Sequence, residues 1–152
     1  MQYVVCSIRS STQGEQGIPN TEYFIHNTFV TKPRISTDRV LLGILGRCPD
    51  SSAVLREWNV LLRSAGIDGS MDRYPCSEQT IPERLSEMVH FDRRGYIVAS
   101  SLQSAMLHAM DNLDPSTVSS QKVDTILNDG GVLTGYFVEG DHSLRRQIWR
   151  LL

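Results

Sequence analysis

The clearest periodic stretch in the chain lies between Asp50 and Gly66. There Val54, Leu55, Trp58, Leu61, Leu62 and Ala65 fall on one face of a helix, with Asp50-Ser51-Ser52 to open it and Gly66 to stop it. Upstream, Ser36-Thr37-Asp38 followed by Val40, Leu41, Ile44 and Leu45 predicts another helix. Downstream, Thr80 with Pro82 and Glu83 has the form of a capping box, and Leu85 and Met88 give the short helix behind it an apolar face. Near the start, Gln2 to Ile8 and Glu22 to Thr31 are rich in β-branched and aromatic residues and predict two strands around a polar loop, Arg9 to Asn20. Asp68 to Ser77 has no period, contains Gly69, Pro75 and Cys76, and predicts a linker.

The last third, Gly95 to Leu152, has a more specific order. Tyr96-Ile97-Val98 predicts a strand, and Leu102, Ala105, Met106, Ala109 and Met110 a helix. After the turn Asp114-Pro115-Ser116-Thr117, Val118, Val123, Ile126 and Leu127 predict a second helix that Gly130-Gly131 stops. Val132 to Val138 and Ser143 to Leu152 then predict two strands joined by Glu139-Gly140-Asp141. Helix, helix, helix and hairpin in this order resemble the winged helix-turn-helix family. The expected fold class is therefore α+β: an N-terminal α/β part with two strands and helices over residues 1–78, then a winged-helix domain over residues 79–152.

The resemblance implies a non-catalytic regulatory or accessory protein that binds duplex DNA, as a homodimer, with no cofactor and no metal. The second helix would present Gln121, Lys122, Thr125 and Asn128 to base edges, where amide side chains suit adenine and lysine reaches guanine. Arg145, Arg146 and Arg150, in or beside the final strand, would reach phosphates. The helix Ser51 to Ala65 offers a surface for self-association. The alternative is a winged helix that acts only as a protein-protein assembly module.

Charge favours that alternative. Formal net charge is −2, and Gly95 to Leu152 holds four basic residues against six acidic ones, too few cations for tight non-specific DNA binding. The 40% hydrophobic content suffices for a real core. Three cysteines without a CxxC pair point to a reducing compartment, and no apolar run spans a bilayer, so the expected location is cytoplasmic. His26-Asn27-Thr28 is similar to the His-x-Thr motif of two-histidine phosphoesterases, but the second motif that this chemistry needs is missing. Cys48 and Cys76 carry no nucleophile motif, and the spacing of Asp38, Asp50, Asp68 and Asp72 matches no calcium loop.

Overall fold

The computed structural model describes residues 39–151. The readings on Gln2 to Thr31, including His26-Asn27-Thr28 and the loop Arg9 to Asn20, lie outside them. Val40–Leu45 is β1, a strand rather than the expected helix. The reason is burial on both sides: Leu42, Ile44 and Leu45 are fully buried, and a strand at the centre of a parallel sheet reads as an unbroken apolar run. Gly69–Tyr74, expected as a linker, is β2 and pairs parallel with β1 from Val40↔Gly69 to Leu45↔Tyr74. Gly95–Val98 is β3, parallel to β1 on its other side.

The helices between these strands take opposite faces. Ser51–Ser64 is α1 and Ile81–His90 is α2. α1 ends in a Schellman arrangement: Gly66 is left-handed, at φ +69°, and the Ile67 N–H bonds the Leu62 carbonyl at 2.9 Å. It lays Trp58 and Leu62 on Leu42, Ile44 and Met71. α2 lays Ile81, Leu85 and Met88 on the other face, against Leu45, Tyr96 and Val98. The chain therefore winds both ways from β1. The Asn59 side chain bridges α1 to the sheet edge, donating to the Met71 carbonyl at 3.0 Å and accepting from its N–H at 3.1 Å. It occupies backbone groups that an edge strand would otherwise offer to another chain.

The remaining residues extend the same sheet with two antiparallel pairings and one short parallel one. The helix expected over Leu102 to Leu113 is instead two 3-10 turns, Ser100–Leu102 and Ala105–Ala109, followed by a two-residue strand β4, Asn112–Leu113. Ser116–Ser120 is α3, a single short turn of helix. The expected second helix stops there. Thr125–Asp129 is β5, antiparallel to β3, and Val132–Tyr136 is β6, antiparallel to β5. Gly130 and Gly131 do not stop a helix. They form the two-residue turn of the β5–β6 hairpin, both at positive φ (62° and 96°), as a type I′ turn requires. The final expected strand is a helix, α4, His142–Ile148, opened by the Asp141 carboxylate, which accepts from the Ser143 and Leu144 N–H groups. The sheet order is β2-β1-β3-β5-β6-β4, so one sheet draws strands from both sides of residue 78. Six strands with helices on both faces replace the expected winged helix, and the β5–β6 hairpin that follows α3 lies inside the sheet rather than beside a helix as a wing.

Trp149 joins α4 to the α1 face. Its ring lies 4.9 Å from that of Trp58 and fills the space over Gly95, where a Cβ would overlap the indole. Gly95→Ala is therefore expected to cost about 1–3 kcal/mol by overpacking, measured as a lower urea midpoint. A midpoint equal to wild type would refute the close approach.

On the α2 face the Tyr74 and Tyr96 rings lie 5.3 Å apart above Gly43, and Arg93 donates to the Tyr96 hydroxyl at 3.2 Å. Burial pushes the Tyr96 phenol from 10.0 up to about 12, against the opposing pull of Arg93. The unfolded chain then releases this proton first as pH rises. Stability should hold below pH 10 and fall between about 10 and 12, by about 2–3 kcal/mol. Urea titrations at stepped pH should show that fall flattened in Tyr96→Phe, with a residual slope from Tyr74, also raised mainly by burial. An unchanged slope in the variant would contradict the assignment.

Candidate functional site

Winding both ways from β1 leaves a crevice at the carboxyl ends of β1 and β3, the place where doubly wound sheets hold ligands. Because β5 is antiparallel, its first residues reach the same end, and α4 begins there after β6. A cleft of ≈ 220 Å³ opens at this convergence. Ile44 of β1 and Ile97 of β3 line its apolar side, with Cys48 from the β1–α1 turn and Val54 from α1. Gln103, Asp124, His142 and Arg145 give its polar side.

These polar groups are held in place. Asp124 and Arg145 are buried, at 4% and 3% exposure. Asp124 Oδ1 accepts from the Thr125 hydroxyl at 2.8 Å and from the Val138 N–H at 3.0 Å. Arg145 Nε donates to Thr125 Oγ1 at 2.8 Å, and its Nη2 lies 3.5 Å from Asp124 Oδ2. Burial pulls the Arg145 pKa down, while the Asp124 charge and hydrogen bond act in the other direction. His142 Nδ1 meets Glu57 Oε1 at 2.9 Å, with the imidazole beside Trp58. Gln103 Nε2 donates to the Val98 carbonyl at 3.1 Å. The site is a small pocket with preset donors and acceptors and one buried ion pair. A larger groove of ≈ 400 Å³ between α1 and α4 runs past Val60, Leu61, Ser64 and Ala65, at the opposite end of α1. It lies away from the strand ends, and Glu57, Ser64 and Arg146 are its polar lining.

The residues expected to contact DNA do not share a surface. Gln121, left-handed at φ 51°, and Lys122 are exposed in the turn after α3. Thr125 and Asn128 are buried in β5, at 0% and 4% exposure. Asn128 is taken up by the backbone, donating to the Arg93 carbonyl and accepting from the Gly131 N–H. Arg146 is half-buried, and Arg150 is exposed and pairs with Asp129 at 2.9 Å. Of the seven, the fold brings together Thr125 and Arg145, in the cleft network. Cys48, Gln103, Asp124 and His142 were not singled out as a group. The helical stripe of α1, offered for self-association, is used inside the molecule by Trp58 and Leu62.

Neither a family model nor a curated protein sequence matches the chain. Solved structures do. The shikimate 5-dehydrogenase of Listeria monocytogenes, in complex with shikimate and NAD, superposes with TM-score 0.64 at 22% identity, over 74% of this chain and 39% of that one. The shikimate 5-dehydrogenase of Thermus thermophilus, in complex with shikimate, gives TM-score 0.57 at 26% identity, over 64% and 37%. The 5-ketofructose reductase of Gluconobacter gives TM-score 0.64 at 15% identity, over 72% and 39%. The chain thus spans less than two-fifths of the length of these proteins, and it has their α/β fold. That fold overturns the winged-helix resemblance and with it the expectation of a DNA-binding or assembly protein. It also removes the basis for a non-catalytic reading, because the structures that share the fold are dehydrogenases and a reductase. Among the described residues no helix is long and apolar enough to cross a membrane.

Proposed function

We propose that residues 39–151 are the substrate-holding module of a dehydrogenase-type oxidoreductase acting on a small hydroxylated acid of the shikimate kind. The observation that carries this reading is the cleft: its polar groups converge at the strand ends of a fold shared with shikimate-complexed dehydrogenases. Its size suits such a ligand. At ≈ 220 Å³ it lies below the roughly 300–1,000 Å³ typical of drug-sized ligands.

A nicotinamide dinucleotide does not fit the same place. The dinucleotide fingerprint G-x-G-x-x-G needs its second glycine so that backbone can approach the pyrophosphate, and its third so that the helix packs closely on the strand. After Gly46, this chain has Cys48 and Ser51 at those positions. Pro49 offers no N–H, and the Asp50 carboxylate stands at the start of α1, where a pyrophosphate needs positive potential. The residues present hold and orient a small ligand.

Nuclear magnetic resonance titration of the 152-residue protein tests the reading. Shikimate is expected to give saturable shifts centred on Ile97, Gln103, Asp124 and Arg145, and NADP a much smaller response there. Shifts confined to the turn Gly46 to Ser51 on adding NADP, with none from shikimate, would overturn it.

A further inference from the structure

We propose that Arg145 is the specificity-determining residue of the cleft and recognises the carboxylate of its ligand; this rests on the substrate-holding reading above. A guanidinium has five N–H donors and no acceptor. Among the described residues Arg145 has two polar partners. Nε is given to Thr125, and Nη2 stands 3.5 Å from Asp124. A full charge-assisted N–H···O bond is about 2.7–2.9 Å, so the ion pair leaves the guanidinium only partly engaged.

Asp124 is the more committed partner. Its Oδ1 already takes two donors, Thr125 and the Val138 N–H, so it serves as an anchor that orients the arginine. Asp141, the next acid in the field of Arg145, has its carboxylate on the Ser143 and Leu144 N–H groups at the start of α4. The cation therefore sits at the wall of a cleft, 3% exposed, with donors left over and Asp124 as the single acid in the lining. Planar donors left at a buried arginine suit the two oxygens of a carboxylate. Around this anchor, Gln103 and His142 each hold one side-chain nitrogen on protein, which leaves the amide oxygen and the imidazole Nε2 for hydroxyl groups. The ligand this describes is a hydroxylated monocarboxylic acid. Its acid group would sit at Arg145 and its hydroxyls toward Gln103 and His142.

Calorimetric titration of the full chain with shikimate and with its methyl ester separates the possibilities. The ester keeps the ring and hydroxyls and loses the charge. Shikimate is expected to bind at least tenfold more tightly than the ester. Arg145→Lys, which keeps the charge beside Asp124 but loses the planar fork, should reduce that preference to about threefold or less while the circular dichroism spectrum stays unchanged. Should Arg145→Lys fail to fold, the acid-to-ester ratio of the wild-type protein decides alone. Equal binding of acid and ester, or an unchanged ratio in Arg145→Lys, overturns the role of Arg145 and leaves the substrate-holding reading standing. Binding of neither compound overturns both.

Discussion

Trp149→Ala is expected to lower the unfolding free energy by about 3–5 kcal/mol, the range for removing a large aromatic side chain from a packed core. Trp149 is fully buried and closes the α1 face from the C-terminal side, against Trp58 and over the glycine at position 95. It also carries a polar bond: its indole N–H donates to the Ile126 carbonyl of β5 at 3.0 Å. Trp58 is equally buried, yet its indole nitrogen has no hydrogen-bond partner among the described residues. The two tryptophans therefore respond differently to phenylalanine. Trp149→Phe loses both volume and a buried hydrogen bond, and should cost about 2–3 kcal/mol. Trp58→Phe loses volume but also removes an unsatisfied N–H, whose burial itself costs about 1–3 kcal/mol, so its net effect should be under about 1 kcal/mol. Urea unfolding followed by fluorescence of the remaining tryptophan measures both. If Trp58→Phe proves as costly as Trp149→Phe, the indole nitrogen of Trp58 has a partner and this account of the face is wrong.

The same face shows which elements local pattern could identify. α1 was legible because its stripe, its opening residues and its glycine stop all agree, and it packs on one side only. β1 was not, because Val40, Leu41, Ile44 and Leu45 satisfy a helical period and a doubly buried strand equally well. What decides between them is pairing with Gly69–Tyr74 and Gly95–Val98, tens of residues away. Polar Asp72 and Arg73 hid β2, which only needs to bury Met71 because it is an edge. Gly130-Gly131 was expected to stop a helix and instead turns a hairpin, because a helix stop and a type I′ turn make the same demand for positive φ. At the end of the chain, the alternation of Trp149 and Leu151 suggested a strand, and the opposing signal, Asp141 ahead of Leu144 and Ile148, was the stronger one physically.

The cleft was less legible still. Its polar members come from a 3-10 segment, the lead into β5 and the start of α4, so no local spacing links Gln103, Asp124, His142 and Arg145. Composition misled as well. Thr125, Asn128 and Arg145 look like surface residues and are buried because each finds a partner inside: Arg145 for Thr125, the turn of the hairpin for Asn128, Asp124 for Arg145. A buried arginine is a usable signal, but it becomes visible only once the sheet is closed around it.

That pairing sets the second large effect. Arg145→Met should destabilise the protein by about 3–5 kcal/mol, because it leaves the Asp124 carboxylate in a site with 4% exposure without its cation. The cost should come from the stranded charge more than from the lost contact. Asp124→Asn removes that charge while an amide oxygen can still accept from the Val138 N–H, which otherwise would be left unpaired. In the double variant Asp124→Asn/Arg145→Met, more than half of the lost stability should return, giving a coupling of about 2 kcal/mol or more in the double-mutant cycle. Thr125→Val gives an independent check. Its hydroxyl both donates to Asp124 and accepts from Arg145, so its loss should cost about 1–3 kcal/mol in the wild-type background and less once both charges are gone. Thermal and urea unfolding of the four proteins of the cycle decide the matter: additive losses, with the double variant no more stable than Arg145→Met alone, would mean that the two charges are not coupled and that the cleft is not built around them.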